Sequence, residues 1–212
     1  MLPSSTRPGS RGRFPRRTVN RLTPEDWSFR YRRSDTPWDM GRANPLLSDL
    51  LAEDPGLGKE NPGRVFVPGC GSGWDASVFH TAGWDVVAVD MASGAIEEAQ
   101  KLVPSAVVGD ALRWTDEPFR VVFDHTFFCA LAPDDRPEFG KMADRVLGDD
   151  GRVVSVVFPI GRSLEKGGPP YGMSPEAVDE VLGDGFVRIS TGPEATIGRR
   201  SWPHKLCIWE RS

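Results

Sequence analysis

The sequence is poor in the residues that most often carry covalent or metal chemistry: its 212 residues include three cysteines, three histidines and two tyrosines. Cys70, Cys129 and Cys207 stand far apart, with no Cys-x-x-Cys pair and no histidine at metal-ligand spacing. That excludes a disulfide framework and a zinc site, and leaves free thiols. Long hydrophobic runs are also missing. The longest strongly apolar stretch, Val153 to Phe158, is far too short to cross a membrane, and no charged-then-apolar signal opens the chain. A cytoplasmic protein without a membrane partner is expected.

The length suits one domain with a sizeable core. No heptad or exposed apolar stripe calls for a second copy, so a monomer is expected. Acidic residues outnumber basic ones, 30 to 26, for a formal charge of −4. Met1 to Pro24 nevertheless holds six arginines (Arg7, Arg11, Arg13, Arg16, Arg17 and Arg21) and no acid, so removing this segment leaves the body at −10. Such a balance argues against a nucleic-acid surface on the folded part. Residues 1–24 read as a disordered leader, rich in Pro, Ser, Gly and Arg without hydrophobic period. A nucleic-acid or membrane-surface arm is one reading of it, and a plain solvated extension or an over-extended gene start is the other.

From Pro24 an acidic, aromatic segment runs through Trp27, Tyr31 and Trp38 toward a helix near Asn44 to Glu53. A regular alternation follows: strands at 64–68, 85–90, 105–110, 120–125 and 151–159, with helices at 74–82, 93–102 and 137–147. Short apolar, β-branched runs separated by helices are what a parallel sheet covered on both faces requires. After a Gly/Pro-rich loop at 161–172 and a helix at 175–182, the strands at 185–190 and 205–211 are joined by a loop alone, which permits antiparallel pairing. The fold class is α/β, a doubly wound, Rossmann-like sheet of seven strands, mainly parallel with one antiparallel. This is the class I methyltransferase pattern.

The stretch VFVPGCGSGWD (65–75) sets Gly69, Gly71 and Gly73 after a strand and before a helix, where a glycine turn brings backbone N–H groups close to a ligand. Asp90 ends the second strand 21 positions after Gly69, at the reach of a ribose diol; Asp110 ends the third, where a carboxylate could accept an adenine amine. A dinucleotide fingerprint would place its third glycine at position 74, which is Trp74. The pattern therefore favours S-adenosyl-L-methionine, which has no pyrophosphate, over NAD.

Trp38 to Ala43, VFVPGCGSGWD, VVAVDMASGAIEEA (86–99), HTFFCALAPDDRP (125–137), Phe158-Pro159 and GGPPY (167–171) together resemble the thiopurine S-methyltransferase family. The resemblance is nearest its plant-like branch of halide and thiol methyltransferases, and runs from about Trp27 to the C-terminus. It implies methyl transfer to a small, soft nucleophile. It also implies that residues 25–60 form an N-terminal lid, with Trp27, Tyr31 and Trp38 over the cofactor, Asp90 on its ribose and Asp110 and Ala111 beside its adenine. Tyr171 and position 125 would look into the acceptor pocket. The plant-like enzymes tend to carry Tyr at that position, whereas this chain has His125, a departure that favours an acceptor needing deprotonation over a halide.

Displacement at a sulfonium methyl needs little acid or base help at carbon, and depends on holding the nucleophile in a dry pocket. The nucleophile must be an anion, and a thiol with a pKa near ~8.5 is mostly protonated at neutral pH. His125 is then either the pocket base or a histidine bonded in place. His204 is expected at the surface and His80 within a helix. Cys70 is expected to pack under the glycine turn, and Cys129 to form pocket wall. The expected activity is S-methylation of a small thiol or dithiol, including sulfur-bearing natural products. Halide or thiocyanate methylation, an NAD-dependent oxidoreductase and a non-catalytic cofactor-binding module are the rivals.

Overall fold

The computed structural model describes residues 21–54, 56–58, 62–197 and 201–212. The expected leader lies outside these residues up to position 20. Its last four positions belong to the folded body: Arg21 pairs with Asp135, and Thr23 caps a helix that begins at Pro24.

Among the described residues six α-helices and seven strands follow one another as α1 (Pro24–Arg32), α2 (Pro45–Glu53), β1 (Arg64–Pro68), α3 (Trp74–Thr81), β2 (Asp85–Asp90), α4 (Ser93–Ala99), β3 (Val107–Val108), β4 (Phe119–His125), α5 (Pro137–Val146), β5 (Leu147–Val157), α6 (Pro175–Leu182), β6 (Phe186–Thr191) and β7 (Lys205–Arg211). The strands form one sheet in the order β3-β2-β1-β4-β5-β7-β6. β7 is antiparallel to both neighbours, with Cys207 opposite Ser155 on β5, and the other pairings are parallel.

The strands lack polar alternation because both sheet faces are covered. Phe66 of β1 and Val122 of β4 enter a core layer with Phe139 and Met142 of α5 and Trp209 of β7. Val65, Val67 and Phe123 point to the opposite layer, against Phe79 of α3 and Ile96 of α4. Pleating sends successive side chains to opposite faces, so every position of these strands meets apolar atoms. Within the first layer α5 meets α6 most tightly at Gly140, where a β-carbon would run into the backbone carbonyl of Val181. Backbone cannot yield there as a side-chain tip would. Gly140→Ala is expected to destabilise the chain by about 3 kcal/mol, lowering the melting temperature by roughly 6–12 °C in a calorimetric scan.

Three elements differ from expectation. The third strand keeps only two ladder residues, because it is an edge strand whose Val107 and Val108 are 37% and 55% exposed. β5 starts at Leu147, earlier than Gly151. α1, unrecognised in the sequence, is started by a capping box in which the Thr23 side chain accepts from Asp26 N–H and Asp26 accepts from Thr23 N–H.

Because β2 and β4 flank β1 on opposite sides, the chain leaves the ends of β1 and β4 in different directions and opens a crevice at the carboxyl edge. Gly69 and His125 stand at that edge.

Candidate active site

At the end of β1 the turn is built around Asp90. Its Oδ2 accepts from Gly71 N–H at 3.0 Å and its Oδ1 from Ala92 N–H at 2.9 Å. Burial pushes this carboxyl above the ordinary aspartate range, opposed by those backbone donors. Gly71 has φ +55°, and a β-carbon there would come within 2.8 Å of Tyr31 Oη. Gly73, expected with the cofactor glycines, instead packs α3 on α4: its β-carbon would lie 3.0 Å from the backbone of Ala99, and it is absent from the cavity wall. Cys70 sits beneath the turn, its thiol pushed well up by burial and then by Asp90, which makes it a poor nucleophile. Asp110 caps the short turn Ala111–Arg113 by accepting from Leu112 N–H at 3.0 Å, and stays exposed.

The N-terminal segment closes over this turn. α1 docks on α4 through Ser28, whose Oγ accepts from Ser93 N–H at 3.1 Å. Trp38 donates to Tyr31 Oη at 3.2 Å, meets Trp27 edge-on at 5.3 Å, and carries the Arg30 guanidinium 4.6 Å above its ring. Burial and the neighbouring Asp90 raise the Tyr31 hydroxyl further, so it remains a donor. Sequence reasoning missed Asp39, which ties the segment down by accepting from Ser72 Oγ at 2.6 Å and from Trp74 Nε1 at 3.0 Å. It also missed the two-pronged Arg21–Asp135 pair, at 2.7 and 2.6 Å, across the cavity mouth.

His125 ends β4 with its side chain only 8% exposed. Nδ1 lies 2.6 Å from Asp75 Oδ2 and Nε2 lies 3.2 Å from Asn44 Nδ2. The preceding Asp124 faces the other way: its carboxylate accepts from Phe127 N–H, Phe128 N–H and Ser155 Oγ, at 3.1, 3.0 and 2.6 Å, and shapes the chain after β4. Thr126 there has φ +69°, a left-handed conformation that is strained for a β-branched residue. Tyr171 donates its backbone N–H to Cys129 O at 2.7 Å, which draws the Gly/Pro-rich loop over this end. Arg136 secures the same loop from below through Gly172 O at 2.8 Å. Phe128 is core, whereas Phe127 is wall. His204, expected at the surface, is fully buried and stacks 4.6 Å from Phe158, because the Ala195–His204 bridge folds its loop inward. His80 is in α3 and exposed.

These groups share one cavity of about 450 Å³. Trp27, Tyr31, Trp38, Gly69, Gly71, Asp90, Asp110, Ala111, His125 and Tyr171 all line it, with Cys129 and Phe158 at the His125 end. Its size falls within the roughly 300–1,000 Å³ of small-molecule sites. Among the described residues its wall carries six carboxylates and three guanidiniums, Arg21, Arg30 and Arg42. That donor set suits a cationic nucleoside better than a pyrophosphate. Among the same residues no group of His, Cys, Asp and Glu could hold a metal ion.

The model of the family described as "Thiopurine S-methyltransferase (TPMT)" matches residues 22–198. The chain belongs to the thiopurine S-methyltransferase family. It is an S-adenosylmethionine-dependent methyltransferase. It is 32% identical to "Probable thiol methyltransferase 2" of Arabidopsis thaliana over 197 residues, covering 88% of this chain and 84% of that one. It is 31% identical to "Thiocyanate methyltransferase 1" of Brassica oleracea over 215 residues, covering 93% and 92%. Among solved structures, the 1,6-didemethyltoxoflavin-N1-methyltransferase of Burkholderia thailandensis with bound S-adenosylhomocysteine superimposes with a TM-score of 0.68 at 18% identity, over 89% of this chain and 87% of that one. The family's cofactor fits the cavity as built, since the glycine turn presents backbone and the carboxylates of Asp90 and Asp110 line the same cavity.

Proposed function

We propose that the enzyme methylates sulfur on a small thiol or dithiol, with natural products that carry such groups within its range. The observation that carries this reading is the cavity itself, whose wall combines a histidine, its side chain 8% exposed, with Tyr171, Cys129 and Phe158. Bound S-adenosylmethionine supplies an electrophilic methyl group on a sulfonium. In this reading Asp90 accepts from the ribose, Asp110 and Ala111 meet the adenine, and Trp27, Tyr31 and Trp38 of the N-terminal lid (25–60) exclude water and turn aromatic faces toward a cation. His125 takes the proton of the thiol, and Tyr171 bounds the acceptor.

Halide and thiocyanate are the alternative acceptors. The excess of carboxylates in the wall disfavours a free anion relative to a neutral thiol that loses its proton in place. The enzyme is read as a monomer acting on a soluble small molecule in the cytoplasm, without nucleic acid or membrane. Among the described residues no helix is long and apolar enough to cross a membrane.

The test is calorimetric titration with S-adenosylmethionine, followed in the same sample by a panel of thiols, thiocyanate and iodide. Methyl thioethers from the thiols without methyl iodide in the headspace are expected. Turnover of iodide or thiocyanate alone overturns the choice of acceptor, and binding without any turnover favours a module that only holds the cofactor.

A further inference from the structure

We propose that Asn44 sets the protonation state of His125, holding it as the neutral Nδ1–H tautomer with its lone pair on Nε2, the form able to accept a proton from a thiol. The proposal deepens the functional reading above and rests on it for its catalytic meaning, though not for its structural test.

Asn44 is fully buried and uses its polar atoms in three directions. Its backbone N–H donates to Asp75 Oδ1 at 2.7 Å, and its side-chain Oδ1 accepts from Leu46 N–H at 3.1 Å as the N-cap of α2. Its Nδ2 then faces His125 Nε2 at 3.2 Å. The cap decides the orientation of the amide: turning it over would set an NH₂ against Leu46 N–H and lose the cap of α2. An amide nitrogen only donates, so Nε2 must be the accepting nitrogen. The hydrogen then resides on Nδ1 and points at Asp75, 2.6 Å away.

The charged groups facing His125 pull the other way. Asp75 comes from α3, Asp124 precedes it on β4 with its carboxylate turned away onto Phe127, Phe128 and Ser155, and the cavity wall adds Arg42, Asp90, Cys129 and Tyr171. The Asp75 carboxylate, 2.6 Å from Nδ1, is complementary to a charged ring. An imidazolium would turn an Nε2–H toward the Asn44 amide, donor against donor. Asn44 thus opposes the charge that Asp75 invites. A cationic His125 would be useless as a base and would add a second positive charge to a cavity that takes a sulfonium. During turnover the thiol displaces the Asn44 amide from Nε2; the S–H bond breaks, its electron pair stays on sulfur, and the proton forms Nε2–H. Asp75 stabilises that transient cation, and the proton leaves to water after the methyl group has moved.

The residues lie at positions 44, 75 and 125, on three different elements, and each has a bland explanation alone: a cap, a first-turn acid, a strand-end histidine. A cap-preserving substitution separates the readings. Asp and Ser both cap helices as well as Asn, but an aspartate carboxylate in place of the Asn44 amide would accept from His125 where the amide donates.

The experiment is ¹⁵N nuclear magnetic resonance of histidine-labelled protein, with His125 assigned from the His125→Phe spectrum. In the wild type Nε2 is expected in the unprotonated range and Nδ1 in the protonated range at neutral pH. In Asn44→Asp the titration of His125 is expected to move up by at least about one pH unit. The acidic limb of kcat/KM for a thiol should move up with it, with the rate recovered at high pH. Asn44→Ser should show a smaller upward shift, and serves alone if the Asp variant does not fold. A protonated Nε2 in the wild type, or a titration unmoved in both variants, overturns the proposal and leaves Asn44 as a cap. The expected tautomer with no thiol turned over would instead fault the functional reading and leave the tautomer assignment standing.

Discussion

Asp90→Ala is expected to weaken S-adenosylmethionine binding at least a hundredfold while leaving a folded chain. Each hydrogen bond to a charged acceptor contributes about 1.5–3 kcal/mol, and ~1.4 kcal/mol is a factor of ten in affinity. Losing two ribose bonds therefore exceeds two orders of magnitude. A second effect adds to it. The carboxylate also accepts from Gly71 and Ala92 N–H groups, so the variant releases the turn that shapes the cofactor end of the cavity. Isothermal calorimetry measures the loss directly, and unchanged affinity would show that Asp90 is a turn fastener with no ligand contact.

The raised pKa of Asp90 adds a pH signature. Its ordinary value is 3.8, and burial lifts it in the folded chain. Between those two values the folded state holds a proton that the unfolded state has lost, so Asp90's contribution to stability is fully present below 3.8 and is lost as pH rises through the folded value. Cofactor binding has the opposite sign, because it needs the ionised acceptor. Affinity in the wild type is expected to fall, on acidification, at a pH above the ordinary aspartate range. Asp90→Ala should lack that step.

His125→Phe is expected to lower kcat/KM for a free thiol about a hundredfold near pH 6, at the lower end of what a positioned base contributes. The loss should narrow as pH approaches the thiol's own pKa of ~8.5, since hydroxide and buffer then make the thiolate unaided. Asp75 keeps its bond to Asn44 N–H in the variant, so the wall is not emptied of partners. Rate profiles from pH 6 to 9 decide the matter: a loss equal at every pH would make His125 a shaping residue alone.

Asn44 and Asp75 explain why the role of His125 stayed open on sequence grounds. A cap before a proline and an acid in the first turn of a helix are ordinary features, and nothing local says that a strand end 50 to 81 positions away will lie between them. Asp39 was hidden for the same reason, since its partners Ser72 and Trp74 are more than thirty residues distant. Trp74 was legible as an obstacle to a dinucleotide, but not as the donor that docks the N-terminal segment. The burial of His204 comes with contacts to Ala195 and Phe158 that no local pattern announces. The packing demand on Gly73 was not legible, because a glycine needed for close helix packing carries the same letter as one that cradles a ligand.

What the sequence by itself determined is what its local patterns encode. Apolar, β-branched runs without alternation, such as Val65 to Val67 and Val153 to Val157 with its single Ser155, specify strands buried on both faces. The loop between β6 and β7 permits the antiparallel end of the sheet. The glycine turn after β1 and the acid that ends β2 were both legible, and the structure joins them through the Gly71 N–H to Asp90 bond. Only the tertiary structure decided what those positions meet. The crevice arises because β2 and β4 lie on opposite sides of β1, and the state of His125 is set by groups that two other helices bring to it. Periodicity and turn chemistry act over a few residues and can be read along the chain. The directions of donors and acceptors between distant side chains exist only once the layers have packed.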